Sequence, residues 1–93
     1  MVTTISVHIV QPGKFDTAID TFKKNTVMAR KQNGFVSRHI LTSLKDPNRI
    51  TTVTKWKSKA DQDAWMSNKS RPGSPPGTYV SVVSEHYTDE AQP

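Results

Sequence analysis

A chain of 93 residues has room for one domain and no second core. Thirteen Lys and Arg against 8 Asp and Glu give a formal net charge of +5, and apolar residues make up only 33 %. The absence of cysteine excludes a disulfide scaffold, a thiolate zinc site, an iron–sulfur cluster and a cysteine nucleophile. So polar a chain buries a thin core, and a second subunit is one common remedy. No apolar run approaches the roughly 18 residues of a membrane span. The N-terminus shows no basic stretch leading into an apolar segment, so the expected location is the cytoplasm.

Val2 to Val10 alternates Ile5, Val7 and Ile9 against Ser6 and His8, which predicts a half-buried strand. Pro12-Gly13 stops it with turn chemistry. From Phe15 the spacing changes to three and four, through Ala18, Ile19, Phe22, Thr26 and Ala29, predicting a helix to about Gln32. Asn33-Gly34 ends it, because both residues tolerate the left-handed conformation. Phe35 to Leu44 and Ile50 to Lys57 read as strands around an Asp46-Pro47-Asn48 turn. Ser58 and Asp61 resemble a capping box for a short helix from Lys59 to about Asn68. Ser70 to Gly77, with three prolines and two glycines, is irregular, and Thr78 to Tyr87 is the last strand. Residues 1–93 thus form one domain, with 88–93 expected to be a disordered tail. The order β-α-β-β-α-β on one antiparallel sheet is the ferredoxin-like α+β arrangement.

His8, His39 and His86 fall on three different predicted strands, without metal-ligand spacing, and no metal is expected. Strand histidines are usually structural, yet one of them in a cleft could act as a base, since imidazole titrates near neutrality. Trp56 ends a strand and Trp65 sits in the short helix. They are either plain core or the walls of a pocket. A basic ferredoxin-like domain invites an RNA-binding reading, but the central strands lack the aromatic residues that stack bases. No nucleic acid is expected, and no Ser/His/Asp motif, phosphate loop or dinucleotide fingerprint appears.

From about residue 5 to 67 the chain resembles the antibiotic biosynthesis monooxygenase (ABM) domains of the dimeric α/β-barrel group. The resemblance rests on Val7-His8-Ile9-Val10-Gln11-Pro12-Gly13-Lys14, Asn33-Gly34-Phe35, Ser43-Leu44-Lys45-Asp46-Pro47-Asn48-Arg49, Trp56-Lys57-Ser58 and Ala64-Trp65, in that order. It implies a homodimer packed sheet against sheet, with a pocket between sheet and helices in each subunit. The quinone-forming members use a strand-ending Trp, which matches Trp56. They also use an Asn where this chain has Thr52 and a Tyr where it has Gln62. The haem degraders use a helix Trp, matching Trp65. They also use a first-strand Asn where Val7 stands, and an axial His where Ser74 or Pro75 stands.

The reading that follows is a cofactor-independent monooxygenase acting with O2 on a small electron-rich aromatic such as a phenol or quinol. Trp56, Thr52 and Gln62 would be catalytic. Trp65 with Arg38 or His39 would bind the substrate, the strand register deciding which of the last two faces inward. A homodimer is expected through the sheet face opposite the helices, taken to carry Val10 and the apolar neighbours of His8. The alternative is a non-catalytic dimer that binds a planar ligand such as haem.

Overall fold

The computed structural model describes residues 1–90. In chain order the elements are β1 (Val2–Val10), α1 (Phe15–Ala29), β2 (Phe35–Thr42), β3 (Arg49–Trp56), α2 (Lys59–Met66) and β4 (Tyr79–Thr88). The strands form one antiparallel sheet in the order β2-β3-β1-β4, the ferredoxin-like arrangement that the element order predicts. The terminal proline and its two predecessors, part of the expected tail, lie outside the described residues. The beginning of that tail is tied down. Thr88 closes β4, and Asp89 takes an N–H bond to the Met1 carbonyl and an ion pair with Lys55 at 3.3 Å.

Both helices stop earlier than their apolar spacing predicts, and for the same reason. After Ala29 the N–H groups of Lys31 and Gln32 bond to carbonyls three residues back, Met28 and Ala29. At the end of α2, Asn68 N–H likewise bonds to Trp65 C=O. That tighter turn ends the α-helical ladder while still satisfying the terminal carbonyls. The start of α2 follows its sequence signal, with the Ser58 hydroxyl accepting the Asp61 N–H at 3.2 Å.

The alternation on β1 points the opposite way from the usual reading. Ser6 and His8 share the face that the helices cover, while Ile5, Val7 and Ile9 lie on the uncovered face of the sheet. Val10 corrects the expectation in the other direction. It is 1 % exposed and packs with Ala18, Phe22 and Ile50 beneath α1, far from any interface on the open face. The pleat accounts for both results. Val10 has the parity of His8, so whichever face takes the histidine takes the valine too.

The core is split. Val10, Ala18, Phe22 and Ile50 form one cluster, and Ala29, Trp56 and Trp65 form another. Position and spacing of the helices are held by one close approach, at Gly34. Its φ is +80°, Lys57 N–H bonds to its carbonyl at 2.8 Å, and a Cβ there would collide with the Asp61 carboxylate. Asn33 donates to that carboxylate at 3.2 Å. The end of α1 is thereby pinned to the start of α2.

Gly13 also has positive φ, +78°, but a Cβ added there would meet no heavy atom within 4 Å. Gly13→Ala should therefore cost only the left-handed torsion, roughly 1–2 kcal/mol. Gly34→Ala carries the same torsion plus a clash with Asp61 and should cost clearly more. Urea unfolding of the two variants side by side checks the difference.

Candidate functional site

Between the two core clusters the sheet and helices part to leave a cleft of about 510 Å³, within the range of small-molecule sites. Its floor is the inward face of all four strands, with Val82 and Ser84 from β4. β1 contributes Thr4, Ser6 and His8, and β3 contributes Thr52, Thr54 and Trp56. Arg38 reaches in from β2. Phe22 and Asn25 of α1, Trp65 of α2 and the Arg71–Ser74 stretch complete the walls, with Tyr79 of β4 at one end. The irregular segment predicted from its prolines forms this rim. Asn25 Nδ2 donates to the Pro72 carbonyl at 3.0 Å, and the Ser74 and Tyr79 hydroxyls are 2.8 Å apart.

Register places the residues singled out by sequence. Arg38 lies opposite Thr54 and His39 opposite Val53, so Arg38 enters the cleft and His39 sits exposed on the other face. A bulge between Phe35 and Ser37 sets that parity. Thr52 is in the floor. Trp56 and Trp65 line the cleft and are also core, at 1 % and 5 % exposure, with ring centroids 6.0 Å apart. Phe35 meets Trp56 edge-on at 5.7 Å, and the Arg71 guanidinium lies 5.6 Å over the Trp65 ring. Gln62 does not line the cleft. It lies buried behind Thr4, donating to the Thr4 hydroxyl and to His86 Nδ1, the latter at 2.8 Å. Its position on α2 makes it a brace for the floor.

His8, which sequence left as a generic strand histidine, is the imidazole of the site. Its ring meets Phe22 edge-on at 4.7 Å and leans on Tyr79 at 5.3 Å. Nδ1 lies 3.2 Å from the Ile50 carbonyl. A carbonyl only accepts, so this bond assigns the proton to Nδ1 and leaves the lone pair on Nε2. Burial lowers the His8 pKa below its ordinary value; the carbonyl bond opposes this, and the nearby Arg38 charge adds to it. The imidazole is therefore neutral at pH 7. Burial likewise raises the Tyr79 pKa, keeping its phenol protonated despite the hydroxyl of Ser74. Among the described residues no group of three His, Cys, Asp or Glu lies together as a metal site would require.

The profile of the family named "Antibiotic biosynthesis monooxygenase" matches residues 1–71. The chain belongs to that family. A protein described as an antibiotic biosynthesis monooxygenase from Nitrosomonas europaea superposes with a TM-score of 0.78 at 18 % identity, over 98 % of this chain and all (100 %) of that one. SnoaB, a cofactor-independent oxygenase from Streptomyces nogalater, gives 0.75 at 16 % identity, over 98 % of this chain and 94 % of its own. A MhuD variant with two manganese protoporphyrin IX molecules bound per active site gives 0.79 at 17 %, over 99 % and 97 %. No curated protein sequence matches the chain. At these identities the likeness concerns the fold.

Two measurements follow from the geometry. Trp56→Phe removes a fully enclosed ring and should cost on the order of 1–3 kcal/mol in urea unfolding. Trp65→Phe, at the cleft rim, should cost less. Since the folded-state pKa of His8 is lowered, the unfolded chain binds more protons below the ordinary value of about 6.5. Stability should therefore fall as pH drops through that value. His8→Gln should remove this component, so its urea midpoint should change less than that of the parent between pH 7.5 and 5.5.

Proposed function

We propose that the protein is a cofactor-independent monooxygenase of a small phenol or hydroquinone, and that His8 is its base. The observation that carries this is the neutral imidazole, its tautomer set by the Ile50 carbonyl, in a cleft walled by aromatic rings and containing a cationic guanidinium. Family membership and the fold shared with SnoaB support the same class.

The chemistry asks little of the protein beyond orientation and proton transfer. Nε2 of His8 takes the phenolic proton, and the Arg38 charge favours the resulting phenolate. The phenolate donates an electron to O2, and the radical pair closes to a C–O bond at a hydrogen-bearing ring carbon ortho or para to the oxygen. The ring carbon's hydrogen leaves as a proton and the O–O bond breaks. One oxygen remains as the new carbonyl and the other departs as water, with His8 returning its proton. A phenol and O2 thus become a quinone and water. Phe22, Trp65 and Tyr79 hold the ring and limit water around the intermediate.

Haem fits the cleft less well. Val7, where haem degraders of the family keep an Asn, has its side chain on the open face, and Ser74 and Pro75 supply no imidazole after α2. His8, the one imidazole lining the cleft among the described residues, is wedged between Phe22 and Tyr79. These residues do not provide a haem iron with the axial ligand that the family places after the helix.

We also propose that the chain works as a homodimer through the open sheet face. Ile5, Val7 and Ile9 lie there beside Leu41, Val53 and Val83, with no helix of the described residues to cover them. Leu41 is 48 % and Val83 57 % exposed. Such a face is a liability for a monomer and an interface for a pair. Light scattering should give about twice the 10.4 kDa chain mass, and Val7→Lys should shift it toward one. A parent that scatters as a single chain would overturn the dimer.

Oxygen uptake with a hydroquinone substrate tests the enzymatic reading. His8→Gln should lower turnover by about 10²–10⁴-fold, and the acid limb of the parent's pH profile should lie below about pH 6.5. Binding of the same hydroquinone with no oxygen consumed above the uncatalysed rate would favour the non-catalytic role instead.

A further inference from the structure

The cleft has an unbalanced charge. Arg38, Lys69 and Arg71 line it, and among the described residues no Asp or Glu does. The ion pairs among the described residues are Lys24–Asp20, Lys55–Asp89 and Lys59–Asp63, none of which uses either arginine. Other carboxylates are engaged elsewhere. The Asp61 carboxylate accepts from the Ser58 hydroxyl and the Asn33 amide, and Glu85 accepts the Tyr87 hydroxyl on the other face of β4. Arg38 is held in place by a bond from Nη1 to the Asn25 side-chain oxygen, while its Nε is buried with no partner among the described residues. Asn25 is itself buried and anchored to the Pro72 carbonyl, so α1, β2 and the rim loop converge on this guanidinium.

A confined guanidinium without a counter-charge is costly to maintain, and buried donors in native proteins are normally matched. The second cation makes the arrangement more costly still. Burial and the repulsion from Arg71 both act against the charged form of Arg38. A single phenolate satisfies part of this demand only during reaction. A ligand with a permanent anion would satisfy it from the moment of binding, through the planar donor fork that suits carboxylates.

We propose that the substrate is an aromatic acid: a phenolic ring with a separate carboxylate, held by Arg38 and Arg71 while the ring lies against Phe22 and Trp65. This rests on the reading of the cleft as the substrate site and deepens it, but not on turnover. The floor around the arginines is neutral, with hydroxyls of Thr4, Ser6, Thr52 and Thr54. It therefore offers hydrogen bonds to the phenolic end without competing for the carboxylate.

The test is calorimetric titration under argon at pH 7 with two probes, 6-hydroxy-2-naphthoate and 2-naphthol, which differ only in the carboxylate. The hydroxynaphthoate should bind tighter by about tenfold or more. Arg71→Met, on the rim loop, and Arg38→Met should each cut that ratio several-fold. Arg38→Lys should retain part of it, because the charge survives and the fork does not. Equal affinities for the two probes, no binding of either, or a ratio untouched by Arg71→Met would overturn the proposal. If Arg38→Met fails to fold, the parent's ratio and the Arg71→Met result still decide. Because oxygen is absent, failure of the oxygenase reading shows only in the uptake assay, and failure of the anion clamp only in these affinities.

Discussion

The pairing of β1 with β3 places Val2 opposite Trp56, Ser6 opposite Thr52 and His8 opposite Ile50, and the rest of the molecule depends on that register. A slip of one residue would turn Ile5, Val7 and Ile9 under the helices and put the imidazole and hydroxyls on the outside. What prevents it is the pair of fully enclosed side chains at the two ends of the ladder. Trp56 closes one end against Ala29 and Trp65, and Ile50 closes the other against Val10, Ala18 and Phe22. Neither Trp56 nor Ile50 could be turned to solvent cheaply. The polar stretch between them is carried along by its ends.

This arrangement explains how so polar a chain both folds and keeps a cleft. A continuous apolar stripe on β1 and β3 would have drawn the helices down onto the sheet and filled the gap. Thr4, Ser6, Thr52 and Thr54 give the helices nothing to seal against. Contacts therefore concentrate in two clusters, and the space between them stays open. The hydroxyls of the floor find partners within the protein, as in the 2.8 Å contact of Ser6 with Ser84 and the bond from the Gln62 amide to Thr4. Ile5, Val7 and Ile9 of the central strand go instead to the face without helices. The sheet is thus two-sided, with the polar cleft on one face and exposed apolar side chains on the other.

Electrostatics then divides the work within the cleft. The Ile50 carbonyl orients His8, and burial with the Arg38 charge keeps the ring neutral. The same Arg38 charge that helps keep the imidazole neutral would favour an anion bound beside it. None of the described residues brings a carboxylate into the cleft. The Asn25 brace matters for the same reason, since a guanidinium swinging to solvent would leave the imidazole to protonate nearer its ordinary value.

Much of this was legible in the chain. The change from period two to period three and four, the Pro12-Gly13 and Asn33-Gly34 stops, and the Ser58–Asp61 cap all depend on neighbours in sequence. They locate the strands and helices and, with their order, the ferredoxin-like sheet. Trp56 and Trp65 were found because large aromatics stand out locally, and Thr52 through the resemblance to the ABM domains. The faces were not legible. Alternation shows that β1 has two unlike sides but not which one the helices cover, and local pattern favours burying Ile5, Val7 and Ile9 over His8. A bulge in β2 decided between Arg38 and His39, and the placement of α2 put Gln62 behind the floor. Asn25 and Tyr79, distant in sequence from Arg38 and His8, gained meaning only when α1 and β4 were folded against them. Periodicity determined the elements; long-range register and packing determined what each of them points at.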